Sequence, residues 1–462
     1  MYQERAFELH THLYGCLRED ELRWLAARKE PRWHIFSKTY ESTYGATPDL
    51  ENIFDPERAD DLRKFSIYNS IGNFPQFQCC FDFVISVAHA DQEEVYEVAR
   101  RVSSKQVEPY AEYRMLFGPQ LDLDEYARRV KALCEGFQSA EGNGYLVMSL
   151  WRAGDLASRQ YDVLLDLMGD STAVRERLVG IDFCAQEEGF PPSQKTDLFS
   201  RVLTNNAQNP ARALAILYHV GESFQDKSLE SAARWVFESA EMGVHRLGHC
   251  IALGQDPEEF LGTTRTETLS ERIQQLDFEQ RMDFMVSFDS ESELIAEFHR
   301  LKEQEQEWLN SQKLGSNLSE VHNSGVSGNQ EPVSAATAPL IDVHYSQKHV
   351  SRLRKYQDEL MRRLAEMPVV IEVCPTSNQR IGAVETHPVH RFLEKGLDVV
   401  VGADDPGIFD TDLEQEFLIL KQEGVSEESL KNDIDKLISE WEKTSSKDSG
   451  SSPVLIHEEP DI

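Results

Sequence analysis

Short apolar runs recur along this chain, separated by stretches whose apolar residues return every three or four positions. The short runs predict eight strands, at 5–10 (RAFELH), 110–116 (YAEYRML), 145–150 (YLVMSL), 178–184 (LVGIDFC), 213–219 (ALAILYH), 244–249 (VHRLGH), 367–373 (MPVVIEV) and 397–403 (LDVVVGA). Between them, patterns such as 92–104 and 226–241 predict amphipathic helices. Alternation of this kind builds βα units on a parallel sheet. Eight such units predict an α/β fold, a closed (β/α)8 TIM barrel, whose core takes about 250 residues and leaves roughly 200 for loops and insertions. The competing open, doubly wound sheet would be favoured by a GxGxxG turn after the first strand, and none stands there.

The longest connection, His249 to Met367, exceeds what a crossover needs, so the segment 251–345 is read as an insertion. Its first half is acidic and helical in pattern, with Leu294, Phe298 and Leu301 on one face. Its Ser/Asn/Gly-rich stretch 311–339 is expected to be disordered, as is the acidic tail 441–462. Residues 346–366 place Val350, Leu353, Tyr356, Leu360 and Leu364 at helical spacing and read as the sixth barrel helix. The insertion then lies between strand six and its helix, on the catalytic face, where a lid and a plain surface excursion both stand open.

Composition narrows the class of partner. Lys and Arg number 47 against 81 Asp and Glu, a formal net charge of −34 that argues against nucleic acid and anionic membrane surfaces as partners. The seven cysteines are odd in number and never spaced as CxxC, which reads as reduced thiols in a cytoplasmic protein. No basic-then-apolar leader opens the sequence, and no run of 18 apolar residues occurs.

The candidate chemistry sits at strand ends. His10 and His12 alternate on the first strand, so both imidazoles face one side. Strand five ends in His219 with Glu222 three residues on, strand six ends in His249, and strand eight runs into Asp404-Asp405-Pro406. Barrel enzymes assemble their sites from such C-terminal strand ends. Three imidazoles and one carboxylate suit a single divalent cation, Zn²⁺ first, which assigns His10, His12, His219 and Asp404 as ligands. A bound cation brings water toward ionisation at neutral pH. His249, Glu222 and Asp405 remain for proton transfer and substrate orientation.

With these residues goes a resemblance. ELHTHLYG (8–15), AEYR (111–114), GID (180–182), HVGE (219–222), HRLGH (245–249), EVCPTSN (372–378) and DDP (404–406) stand in the order found in the adenosine deaminase family of metal-dependent amidohydrolases, which this chain resembles over most of its length, the insertion and tail excepted. The resemblance implies a deaminase barrel over 1–440 that hydrolyses adenosine or a related 6-aminopurine and releases ammonia. It puts the metal on His10, His12, His219 and Asp404, with His12 and Asp404 also on the reacting side. It makes Glu222 the proton donor to purine N1, His249 the residue that orients and deprotonates the attacking water, and Asp405 the contact to N7.

Two departures bear on the substrate. Adenosine-specific members carry a motif similar to HxHLDG, whose Asp meets the ribose 5′-hydroxyl; here Tyr14 stands in its place. Ala185 replaces the glycine whose backbone N–H meets N3, and Ala403 stands where Ser or Thr often precedes DDP. Adenine, a 5′-modified adenosine or another aminated heterocycle therefore remain alternative substrates, and a non-catalytic binding protein on the same scaffold remains an alternative of another class. No lysine stands at the end of strand four, where the sequence reads GIDFCAQE, to bridge a second metal, and the P-C-x-x-C ligands of the cytidine deaminase fold are absent.

Overall fold

The computed structural model describes residues 6–320, 338–426 and 429–430. Eight parallel strands form the barrel: β1 (Glu8–His12), β2 (Ala111–Leu116), β3 (Gly144–Ser149), β4 (Leu178–Asp182), β5 (Ala215–Val220), β6 (Arg246–His249), β9 (Val370–Val373) and β10 (Asp398–Val401). The remaining pair, β7 (Thr264–Thr268) and β8 (Leu340–His344), is an antiparallel ribbon outside the barrel. Closure falls at the site itself, where the His12 amide donates to the Asp404 carbonyl (2.8 Å) and the Asp404 amide to that of His10 (2.8 Å). Gly402 permits it, since a Cβ there would sit 2.5 Å from His10 Cβ.

The predicted strands are found within a few residues of their expected bounds, and the pattern at 92–104 is the helix Gln92–Ser104. Its apolar face, Val95, Val98, Ala99 and Val102, is buried, and Asp91 caps it by accepting from the Glu94 amide. The helix predicted at 346–366 is Gln347–Leu364, whose Val350, Leu353, Tyr356, Leu360 and Leu364 are all buried.

The insertion is structured where it is described. Helix Leu269–Met282 packs on helix Glu291–Glu320 through Leu269, Ile273, Leu276, Leu294 and Leu301, with Phe298 against them, so the face expected at 294–301 is the one buried. Of the stretch 311–339, helix runs to Glu320 and residues 321–337 lie outside the described residues, as does the tail 441–462. The insertion is bolted to helix Leu229–Glu241 by buried ion pairs, Arg272 with Glu230 (3.1 Å) and Arg234 with Glu271. A different excursion reaches the barrel mouth. Between β1 and β2 lie five α-helices, and their loop meets those after β9 and β10 where Tyr68 N donates to Ile408 O (2.7 Å) and Gly72 N to Arg380 O (2.9 Å).

Candidate active site

The C-terminal strand ends gather the predicted residues into one knot. His12 Nε2 lies 3.3 Å from Asp404 Oδ1 and His10 Nε2 3.7 Å from it. Ring centroids of His10 and His219 are 4.8 Å apart, and those of His12 and His219 5.3 Å. Three overlapping trios, His10/His12/Asp404, His10/His219/His249 and His249/Cys374/Asp404, each hold their ligand atoms within 4.8 Å of one another. His249 Nε2 faces Glu222 Oε2 at 3.5 Å.

Two nitrogens in this knot lack a hydrogen bond. His10 Nε2 and His219 Nε2 are buried without a hydrogen bond, while their Nδ1 atoms contact Glu372 Oε2 and Asp182 Oδ1, each at 2.9 Å. Leaving a buried polar atom unsatisfied costs about 1–3 kcal/mol. A neutral imidazole that donates Nδ1–H to a carboxylate and turns a bare Nε2 inward is the arrangement a metal ligand requires. The donor set therefore fits a divalent cation.

Burial and charge set the proton states. Burial pushes His219 down to about 4, against the pull of Asp182, and holds His10 well below its ordinary value with Arg114 adding to it. Both stay neutral and able to ligate at pH 7. Burial raises the Asp404 carboxyl, but its hydrogen bond with His12 and the surrounding imidazoles outweigh that and hold it well below the usual range. Burial lifts Glu222 well above the carboxylate range, with Asp404, Glu187 and Asp405 adding to the rise. Two carboxyls in one pocket thus differ in kind, one ionised and one able to carry a proton.

Backbone strain concentrates here too. His249 (φ 65°), Cys250 (φ 55°) and Asp404 (φ 60°) are left-handed although none is glycine. Asp405 is buried with Oδ1 unpartnered, against Gly15, where a Cβ would lie 1.7 Å from that oxygen. Ala185 is exposed at φ 64°, a conformation glycine adopts freely. Tyr14 is buried, and its hydroxyl donates to Glu94 Oε1 (2.9 Å), which also accepts from the amides of His89 and Ala90.

The groups behind the knot lie in segments the sequence reading singled out, GID and EVCPTSN, but it gave them no role. Glu372 is shared by His10, Arg114 and Arg246, and Asp182 holds His219 while accepting from Ser149 Oγ (3.0 Å). The available signal was a charge inside an apolar run, Glu372 in VVIEV and Asp182 in LVGID, since acidic groups are seldom buried without partners.

Comparison with known proteins places the chain among similar sequences and folds. Residues 347–437 match the family model described as Adenosine deaminase. The resemblance is to the adenosine deaminase family. An aminodeoxyfutalosine deaminase of Acidothermus cellulolyticus is 45% identical over 69 residues, 14% of this chain and 19% of that one. An adenosine deaminase of Streptococcus mutans is 24% identical over 258 residues, 54% of this chain and 63% of that one. An adenine deaminase of Rhizobium leguminosarum is 34% identical over 86 residues, 18% of this chain and 27% of that one. The chain thus matches less than two thirds of the length of these curated relatives. In fold it is similar to the crystal structure of an adenine deaminase from Arthrobacter aurescens, with a TM-score of 0.50 and 17% identity over 95% of this chain and 99% of that one. Among the described residues no helix is long and apolar enough to cross a membrane.

Proposed function

We propose that this adenosine-deaminase-like chain hydrolyses the exocyclic C–N bond of a 6-aminopurine, adenosine or a related compound, and releases ammonia. The reading is carried by one observation: two buried imidazoles whose Nε2 atoms make no hydrogen bond, each backed by a carboxylate, beside His12 and Asp404. His10, His12, His219 and Asp404 would hold one divalent cation, Zn²⁺ by donor type, and when bound it makes water nucleophilic at neutral pH. Glu222, protonated at rest, donates to ring N1 and so lowers the resistance of C6 to addition. His249 orients the attacking water and Asp404 takes part in moving its proton. Asp405 meets N7, and the backbone N–H of Ala185 meets N3. Water adds to C6, the C–N bond breaks, and the amine leaves with a proton as ammonia.

The substrate's far end is a separate question, and Tyr14 bears on it. Its hydroxyl is engaged by Glu94, so the chain lacks the charged side chain expected beside a 5′-hydroxyl. That supports adenine or a 5′-modified adenosine as the second reading, and relatives bear the names adenine deaminase and aminodeoxyfutalosine deaminase. Ammonia release from adenosine, adenine, deoxyadenosine, 5′-methylthioadenosine, aminodeoxyfutalosine and AMP decides between them. Turnover of at least one is expected; none from any, with metal bound, would leave the scaffold as a binding protein.

A further inference from the structure

His249 is held from behind by a chain of three hydrogen bonds, and their directions can be read from one fixed end. The amide of Val389 donates to His387 Nδ1 at 3.2 Å. A backbone N–H cannot reverse its role, so His387 Nδ1 is an acceptor, and in the neutral ring the proton lies on Nε2. His387 stays neutral, because burial, with His249 and His390 adding, pushes it down to about 3. Its Nε2–H faces Asn378 Oδ1 at 3.3 Å and must donate to it. Rotating the Asn378 amide would set two donors against each other, so the carboxamide orientation is fixed as well. Asn378 Nδ2 then donates to His249 Nδ1 at 3.1 Å. Asn378, His387 and His249 are all buried, so water does not compete for these contacts.

Resting on the deaminase reading above, we propose that Asn378 and His387 are positioning residues that fix His249 in the tautomer with its proton on Nε2. His10 and His219 carry theirs on Nδ1, toward Glu372 and Asp182. The knot therefore holds opposite tautomers: two imidazoles turn a bare nitrogen to the centre, and His249 turns an N–H to it. His249 thus meets the attacking water or Glu222 as a hydrogen-bond donor in the resting state. It orients and stabilises the attacking oxygen. The first proton goes to the ionised Asp404 carboxylate and not to His249. Neither Asn378 nor His387 needs to touch the substrate for this.

Asn378→Asp tests the relay with the same shape and the opposite polarity. Aspartate accepts where Asn378 donates, pulling the His249 proton to Nδ1 and leaving Nε2 bare. A wrong tautomer of a catalytic imidazole costs up to about 10⁴ in turnover. Asn378→Asp is expected to keep its metal and KM and to lose 10²-fold or more in kcat. His387→Leu is expected to fall part-way, and His387→Gln, which can still donate to Asn378, to recover most of that loss. Tautomers are read independently of activity by ¹⁵N NMR of histidine-labelled full-length protein, with His249→Gln assigning the signal. A proton on His249 Nε2 in the wild type, moved to Nδ1 in Asn378→Asp, supports the relay. A wild-type proton on Nδ1, or a metal-loaded Asn378→Asp with near-normal kcat, overturns it. Absence of turnover on every aminopurine would defeat the deaminase reading while leaving the NMR test intact.

Discussion

At the scale of single residues, the site depends on placing like groups in unlike surroundings. Asp404 is circled by imidazoles and stays ionised, whereas Glu222, also within reach of His249, is raised by burial and by neighbouring carboxylates. One can serve as ligand and acceptor, the other as acid. Glu222→Gln removes the transferable proton while keeping the shape. That variant should bind metal as the wild type does and lose about 10²- to 10⁴-fold in kcat, measured by ammonia release beside metal analysis. Near-normal turnover would remove Glu222 from the mechanism. Much of this layer was legible: strand alternation put His10 and His12 on one side, and both are found there. Glu372, Asn378 and His387 were not legible as a unit, because their roles depend on contacts such as that between Glu372 and His10, 362 residues apart.

At the scale of elements, the barrel strands announced themselves by apolar runs, and the amphipathic helices by spacing. The ribbon β7–β8 did not. TRTET and LIDVH are short, largely exposed and joined only after a long interruption, so neither shows an inward face to read. The helix Phe74–Val87 was missed for the opposite reason, since FPQFQCCFDFVISV is too apolar to show a clear stripe. The insertion that carries the ribbon is anchored by buried charge. Arg272 pairs with Glu230 (3.1 Å) and Glu267 (3.5 Å), and both carboxylates are fully buried. Arg265 of the ribbon donates to the carbonyls of Lys227 and Phe224, in the loop that follows Glu222. Breaking a buried pair from one side strands the other charge. Arg272→Ala should therefore destabilise the protein by about 3–5 kcal/mol in denaturant unfolding. A loss under 1 kcal/mol would mean that the insertion is held by its apolar contacts alone.

At the scale of the whole molecule, this chain buries several of its carboxyls, and its stability then depends on pH. Burial pushes Glu416 up to about 7, against hydrogen bonds from Thr376 and Thr411 that favour the charged form. The unfolded group titrates near 4.5, so between 4.5 and about 7 the folded state binds more protons and this residue's contribution falls as pH rises. Glu416→Gln is released from that loss. Its stability relative to wild type should rise by up to about 3 kcal/mol from pH 4.5 to 8, read from unfolding at several pH values. A pH-independent difference would contradict the assignment. The fold and the site are linked more closely still, since β1 meets Asp404 where the barrel closes. The proposed chemistry depends on four side chains, from β1, β5 and the end of β10, being able to share one ion. Metal content of the purified full-length chain, compared with His219→Ala, tests that most directly. One equivalent of divalent metal per wild-type chain, largely lost in the variant, is the predicted result. Wild-type protein that takes up no stoichiometric metal, even when Zn²⁺ is supplied, would contradict the account.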